Sequence, residues 1–166
     1  MARQFSVGAL DAQCDKSGFS CGVAPLDNYF RTQAGQDIRR RVAACFVARG
    51  VAGKVAGFYT LAAASLLLNE LPDAQAKKLP RYPSVPAVRM GRLAVDQAFK
   101  GQGLGAALLA DALGRAARAE IAAYALLVDA KDAQAADFYA HHGFIALPDR
   151  SLFLFLPLSS VKDLVK

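Results

Sequence analysis

The chain holds too few cysteines and histidines to build a metal site or a disulfide framework. Its three cysteines, Cys14, Cys21 and Cys45, are odd in number, and their spacing fits no zinc pattern. Only two histidines exist to complete one. They are the adjacent His141 and His142, which would point in different directions on a helix and read as surface residues. No metal is expected, and a reducing compartment fits the free thiols. The opening Met1-Ala2-Arg3-Gln4-Phe5 has no apolar stretch after its arginine, so it reads as no signal peptide. The most apolar run, Leu61 to Leu68, is too short to span a bilayer and stops at Asn69-Glu70. No membrane association is expected, and the expected location is the cytoplasm. Internal repeats and low-complexity segments are also missing.

What is present is one domain's worth of chain: 166 residues, 54% of them hydrophobic, enough for a sizeable buried core. The formal net charge of +6 suits an anionic partner such as a nucleotide cofactor or a nucleic acid, without requiring either.

Hydrophobic periodicity orders the elements. Residues 5–12 alternate as a first strand, and Cys14 to Gly22 reads as loop. Pro25 fits a helix's first turn, and Leu26, Tyr29, Phe30 and Ala34 continue at helical spacing toward the cluster Arg39-Arg40-Arg41. Ala43 to Arg49 and Val55 to Ala64 read as a hairpin around the turn 50–53. Residues 69–86, with four prolines, read as a short helical piece plus a long loop, regular structure being broken at Pro80, Pro83 and Pro86. Val88 to Val95 is a strand. After Gly105 a helix carries an apolar face (Leu104, Leu108, Leu109, Leu113, Ala116) and a polar stripe (Asp111, Arg115, Arg118). Ala125 to Ala130 is a strand, Ala133 to His141 a helix ending before Gly143, and Ser151 to Leu158 the last strand. This is a mixed α/β (α+β) domain with one central sheet.

The junction that carries chemistry is Gly91-Arg92-Leu93-Ala94-Val95-Asp96 followed by Lys100-Gly101-Gln102-Gly103-Leu104-Gly105 and then Ala106, at the start of an amphipathic helix. Glycines before a helix N-terminus let backbone N–H groups approach an anion where the helix dipole is positive, and a diphosphate is the natural ligand. The competing reading is a tight strand-to-helix turn that needs glycine for backbone reasons alone. A nucleotide P-loop would end in Gly-Lys-Ser/Thr, which is missing. A dinucleotide-binding fingerprint would follow a first strand, whereas this loop lies past mid-chain.

At these residues the chain resembles the GNAT superfamily of N-acetyltransferases, whose signature is Gln/Arg-x-x-Gly-x-Gly/Ala opening a helix. Lys100 stands where that family prefers Gln or Arg. Phe19-Ser20-Cys21-Gly22, Leu26-Asp27-x-Tyr29-Phe30, Gln36-Asp37, Gly57 to Ala62, Leu79-Pro80-Arg81-Tyr82-Pro83 and Phe138-Tyr139 with Gly143-Phe144 extend the resemblance along nearly the whole chain. They are similar to one branch, the acetyltransferase toxins of bacterial toxin–antitoxin pairs.

The resemblance implies a single GNAT domain over residues 1–166, with a mostly antiparallel mixed sheet flanked by helices. It implies acetyl-CoA as co-substrate, with Leu93, Ala94 and Val95 along the pantetheine arm and Lys100 to Ala106 on the pyrophosphate. It places Tyr139 where the family protonates the departing thiolate; the residues alone favour reading Tyr139 as a core aromatic beside Phe138 and Phe144. It implies acetylation of the α-amine of aminoacyl-tRNA, a ribbon-helix-helix antitoxin as partner and, since members are often dimers, room for a homodimer. Arg39, Arg40, Lys77, Lys78, Arg81 and Arg92 are the candidates for contacting tRNA, with an ordinary solvated basic face as the competing reading. No general base stands out: Asp96, Asp129 and Asp132 are candidates by position only. Two other functions fit the residues, an acetyltransferase for a small-molecule or protein amine and a non-catalytic CoA-binding module.

Overall fold

A computed structural model describes residues 5–161 of the chain. Residues 1–4, on which the signal-peptide reading bears, lie outside them. Seven strands form one sheet in the order β1-β2-β3-β4-β5-β7-β6. They are β1 Ser6–Ala9, β2 Ala44–Arg49, β3 Val55–Leu67, β4 Ser84–Val95, β5 Ala125–Asp129, β6 Ile145–Leu147 and β7 Arg150–Pro157. β1 with β2, β2 with β3, β5 with β7 and β6 with β7 are antiparallel, and β4 with β5 is parallel. This is the mostly antiparallel mixed sheet that was expected. Among the described residues no helix is long and apolar enough to cross a membrane.

The chain divides into two compact units, Met1–Ala62 with Gly91–Ala112, and Ala63–Met90 with Leu113–Lys166. In the first unit the core is aromatic. Phe30 stacks on Phe58 at 4.6 Å between ring centroids, and Phe19 meets both rings at 5.0 and 5.5 Å. The single helix expected over Pro25 to Arg41 is three pieces: α1 (Ala24–Asn28), a π-helical turn (Tyr29–Gln33) and α2 (Ala34–Arg39). The wider turn lets both Tyr29 and Phe30 face the core, where they are buried together with Ala34. Helix α2 ends on Arg41, at φ 61°, whose N–H bonds the Ile38 carbonyl while that of Val42 bonds Asp37. The left-handed residue that closes helices is usually glycine; here an arginine takes it at some steric cost.

In the second unit the core joins Leu66, Leu71, Val85, Ala87, Ala125, Leu127, Leu147 and Phe155. Helix α3 (Asp73–Ala76) is the short helical piece expected in the proline-rich stretch, and α5 (Ala133–His141) falls on its expected bounds. Pro86 does not break structure, as had been expected. It lies inside β4, one residue before the β5 register begins at Ala87↔Ala125, so its missing N–H costs no bond to β5. Strand β6 was not foreseen: it has three residues, and Ile145 and Leu147 alone carry its apolar alternation.

Helix α4 (Leu104–Arg118) begins at the glycine loop, and Leu104, Leu108, Leu109, Ala112 and Ala116 are its buried face. Asp111, in the polar stripe, is half-buried and accepts a hydrogen bond from the Tyr59 hydroxyl. Gly57 is where β3, β4 and the first turns of α4 come closest. A Cβ there would stand 2.8 Å from Leu108 Cδ1 and 2.9 Å from the Ala94 carbonyl oxygen. The leucine tip can move; the carbonyl cannot without shifting β4. Gly57→Ala should therefore cost about 1–3 kcal/mol of stability through overpacking. Urea unfolding checks this, and an unchanged midpoint would show that the contact is slack.

Candidate active site

Strand β4 outruns its partner. Pairing with β5 covers Ala87 to Met90 and stops there. The next residues, Gly91 to Val95, continue the strand. The Asp96 N–H donates to the Ala56 carbonyl on the β3 side at 2.8 Å, and the Ala94 carbonyl faces Gly57 on that same side. Successive residues of a strand turn their N–H and C=O to opposite edges. Leu93 and Val95 therefore turn theirs to the edge that β5 has ceased to cover. Of the three residues read as flanking a pantetheine arm, these two offer free backbone and Ala94 is buried.

The end of β4 is locked by Asp96, buried at 5% exposure. One carboxylate oxygen accepts the Ser20 N–H at 3.0 Å and the other the Ala98 N–H at 2.9 Å. The Gln97 N–H bonds the Ser20 carbonyl at 2.9 Å. The Lys100 ammonium donates to the Cys21 carbonyl at 2.8 Å. From the other side, Asp27 accepts the Cys21 N–H at 2.8 Å and Arg31 donates to the Phe19 carbonyl at 2.7 Å. The segment Phe19 to Cys21 is thus a strap gripped by the helix that follows it and the loop after β4.

From this anchor the chain turns through Gly101 and Gly103, at φ 81° and 80°, a region closed to most side chains. An added Cβ at either would meet nothing within 4 Å, so both glycines border open space. The first helical bond of α4 runs from the Ala107 N–H to the Gly103 carbonyl. The N–H groups of Gln102, Gly103, Leu104, Gly105 and Ala106 donate to nothing among the described residues. Five successive free donors at the positive end of a 15-residue helix, with no acidic side chain in its first turn, fit a diphosphate. Lys100 adds its charge from beside the loop, with one ammonium proton committed to Cys21.

Tyr139, in the second unit, is buried to 6% exposure against Phe138 and Phe144, whose ring centroids lie 5.2 and 5.7 Å away. It is a core aromatic, and among the described residues its hydroxyl has no hydrogen-bond partner. Since no fully buried polar side-chain atom lacks one, that oxygen keeps an opening to solvent. Burial, with the Asp129 charge adding to it, raises its pKa from 10.0 to about 12.

None of the three acids read as bases is idle. Asp96 is locked as described. Asp129 pairs with Arg89 at 2.8 Å. Asp132 caps α5 by accepting the Ala135 N–H at 2.8 Å, and this bond, with Lys131 at 2.9 Å, holds its carboxyl below the usual range. Arg39 and Arg40 are exposed at the end of α2 in the first unit, and Lys77, Lys78 and Arg81 are exposed after α3 in the second. Arg92 does not pair with Asp96; its guanidinium lies over the Tyr29 ring, 3.6 Å from the centroid. The Tyr29–Asp37 pair beneath it escaped sequence reasoning, because Tyr29 carries the helical spacing of a core residue. Among the described residues no three His, Cys, Asp or Glu gather as a metal site would require.

Comparison with known proteins agrees with this geometry. Residues 81–153 match the model of the acetyltransferase (GNAT) domain. The chain is 36% identical to a "tRNA-acetylating toxin" of Mycobacterium tuberculosis (strain ATCC 25618 / H37Rv) over 153 residues, 91% of this chain and 90% of that one. Among solved structures it is similar to AtaT complexed with acetyl-methionyl-tRNAfMet, at TM-score 0.89 and 30% identity over 98% of this chain and 99% of the other. It is also similar to a tyrosine-to-phenylalanine mutant of the AtaT toxin bound to the C-terminus of the antitoxin AtaR and acetyl-CoA. There the TM-score is 0.82 at 25% identity, covering 98% of both chains.

Two outcomes test the site's construction. Asp96→Ala deletes the acceptors of the Ser20 and Ala98 N–H groups and should cost about 2–4 kcal/mol in urea unfolding, whereas a loss under about 0.5 would mean that the strap holds without it. Tyr139 gives a pH signature. The unfolded chain loses this proton near pH 10 and the folded one near 12, so the folded state binds more protons in between and stability falls as pH rises through that window. By pH 12 the component should reach about 2–3 kcal/mol, and Tyr139→Phe should lack it. Equal alkaline slopes for the two proteins would refute the burial argument.

Proposed function

The chain belongs to the GNAT acetyltransferases, in the branch of the tRNA-acetylating toxins, and we propose that it is a toxin that acetylates the α-amine of aminoacyl-tRNA and so blocks translation. The observation that carries this reading is similarity to a tRNA-acetylating toxin along nine-tenths of the chain, joined to a loop whose backbone donors stand free for a diphosphate. We read residues 1–166 as a single acetyltransferase domain working in the cytoplasm.

Acetyl-CoA supplies the acetyl group as a thioester. Gln102 to Ala106 hold its pyrophosphate by backbone N–H groups, with Gly101 and Gly103 making the turn and Lys100 adding charge. Leu93 and Val95, flanking Ala94, offer their backbone to the pantetheine arm as a neighbouring strand would. An N–H from this stretch also steadies the thioester oxygen as negative charge grows there.

By the family resemblance, Tyr139 is proposed as the hydrogen-bond donor to the leaving thiolate. With a pKa of about 12 its hydroxyl is fully protonated at neutral pH. A simple thiol, near 8.5, is the stronger acid, so Tyr139 does not surrender its proton outright. It donates a hydrogen bond that strengthens as sulfur becomes negative. The other proton belongs to the acceptor. A lysine amine, pKa about 10.4, needs a base, whereas a free α-amine near 8 is partly neutral already, and an adjacent ester lowers it further. Asp96, Asp129 and Asp132 all being engaged supports an acceptor of the second kind.

Arg39, Arg40, Lys77, Lys78, Arg81 and Arg92 are proposed to contact the tRNA. The AtaT relative binds the C-terminus of its antitoxin, and a ribbon-helix-helix antitoxin is the partner proposed here. A homodimer is proposed by the same resemblance.

Purified protein should move radiolabelled acetyl from acetyl-CoA to charged tRNA and not to uncharged tRNA. No label on any charged tRNA would remove the reading, and label on small amines instead would point to a different acetyltransferase. Tyr139→Phe should lower kcat about 10²-fold or more while acetyl-CoA affinity stays within about twofold. An unchanged kcat would exclude Tyr139 from the proton step.

A further inference from the structure

Arg92 is half-buried, yet among the described residues it makes no hydrogen bond and no ion pair. Its guanidinium packs against the Tyr29 ring, 3.6 Å from the centroid. A carboxylate is at hand in Asp37, near enough for its charge to be felt by Tyr29 and to feel that of Arg92. In a structural ion pair that carboxylate would take the guanidinium fork directly. Here its two oxygens are occupied otherwise: one accepts the Tyr29 hydroxyl at 2.8 Å and the other the Gln33 amide at 3.0 Å. Tyr29 therefore stands between cation and carboxylate. Its ring stacks on Phe58 at 6.3 Å, and the residue is buried to 7% exposure, so the platform under Arg92 is rigid. The π-helical turn, Tyr29 to Gln33, supplies both Tyr29 and Gln33 to the arrangement.

The result is a guanidinium with one face covered, its charge favoured by the aromatic face and the carboxylate behind it, and its in-plane N–H donors unspent. It sits on β4 immediately before Leu93, and strand alternation puts it on the same face as Ala94. We propose that Tyr29 and Asp37 are positioning residues that hold the Arg92 fork ready for a backbone phosphate near the 3′ end of the acceptor tRNA. This rests on the tRNA reading above. A phosphate is the ligand to which a planar fork gives most, since two parallel N–H···O bonds are geometrically matched, whereas a lysine would offer only a point charge.

Steady-state kinetics with charged tRNA as varied substrate test it. Arg92→Lys should raise KM for charged tRNA roughly tenfold, the loss of one charge-assisted hydrogen bond, with kcat changed less than about threefold. Tyr29→Leu should do the same, and Tyr29→Phe, which keeps the ring face, should restore KM to within about threefold of wild type. The KM for acetyl-CoA should stay constant in all three. In Arg92→Gln the salt dependence of tRNA binding should flatten by about 0.7 in log–log slope, one phosphate on a single strand.

The proposal is overturned if Arg92→Lys leaves KM for charged tRNA unchanged, or if the KM for acetyl-CoA rises instead. It is overturned equally if Tyr29→Phe is as impaired as Tyr29→Leu. Should Tyr29→Leu fail to fold, Arg92→Lys and the salt slope of Arg92→Gln carry the decision. Failure of the parent reading shows separately, as wild-type protein that labels no charged tRNA.

Discussion

The Asp96 carboxylate accepts the N–H groups of Ser20 and Ala98 at once, while the Asp96 N–H closes on Ala56. Three bonds on one buried residue fix where β4 stops, which way the chain leaves it, and which earlier segment lies beside it. Leu93 and Val95 lie beyond Met90, the last residue of β4 paired with β5. The free donors of Gln102 to Ala106 point together because the turn that presents them starts from an immobile residue. Binding sites work when the supporting shell costs the ligand no reorganisation, and here that shell is backbone gripped by a carboxylate. The strap Phe19 to Cys21 belongs to the same construction, since Asp27 and Arg31 hold it from the helix side.

Charge is used sparingly at the loop. Lys100, the cation nearest the glycines in sequence, spends one ammonium proton on the Cys21 carbonyl. What remains for a diphosphate is mainly dipolar: five unpaired N–H groups and the end of α4. Such donors are fixed in direction and carry no side-chain entropy, so they are fully formed before the ligand arrives. In the proposed site, lysine can stand where the family prefers Gln or Arg because the position helps to tie down the strap and the backbone would do the holding. Arg92 is the opposite case, a cation kept free of carboxylate partners by an aromatic ring.

The parts of the fold visible in the sequence are those governed by local periodicity. Helix α5 was legible to its bounds because Asp132 caps it and Gly143 follows it. Helix α4 was legible from its leucines, and β2 and β3 from the turn between them. What failed was decided by tertiary contact. Pro86 reads as a breaker, but a proline is harmless in a strand where no neighbour asks for its N–H. The π-helical turn at Tyr29 to Gln33 leaves no mark, since the same residues fit an α-helix, and only packing on Phe58 selects the wider turn. The bond from the Tyr59 hydroxyl on β3 to Asp111 on α4 was likewise out of reach of the periodicity. The same limit applies to the site. The glycine loop announced a diphosphate, and the chain-long resemblance supplied the reaction. The roles of Asp96 as a lock and Tyr29 as a platform depend on which residues meet across the fold, and no spacing encodes that.

The proton inventory links the architecture to the choice of acceptor. A general base needs a carboxylate or imidazole that can gain a proton without losing structure. Asp96 holds the strap, Asp132 caps α5 and Asp129 pairs with Arg89. Each of these acids already has a structural partner, and none stands free as a base. Tyr139 lies at the other extreme, with its pKa of about 12 keeping it a hydrogen-bond donor across the physiological range. A site that donates readily and accepts poorly is matched to a nucleophile that arrives largely neutral. An α-amine beside an ester meets that condition and a lysine side chain does not, which supports the proposed aminoacyl-ester acceptor.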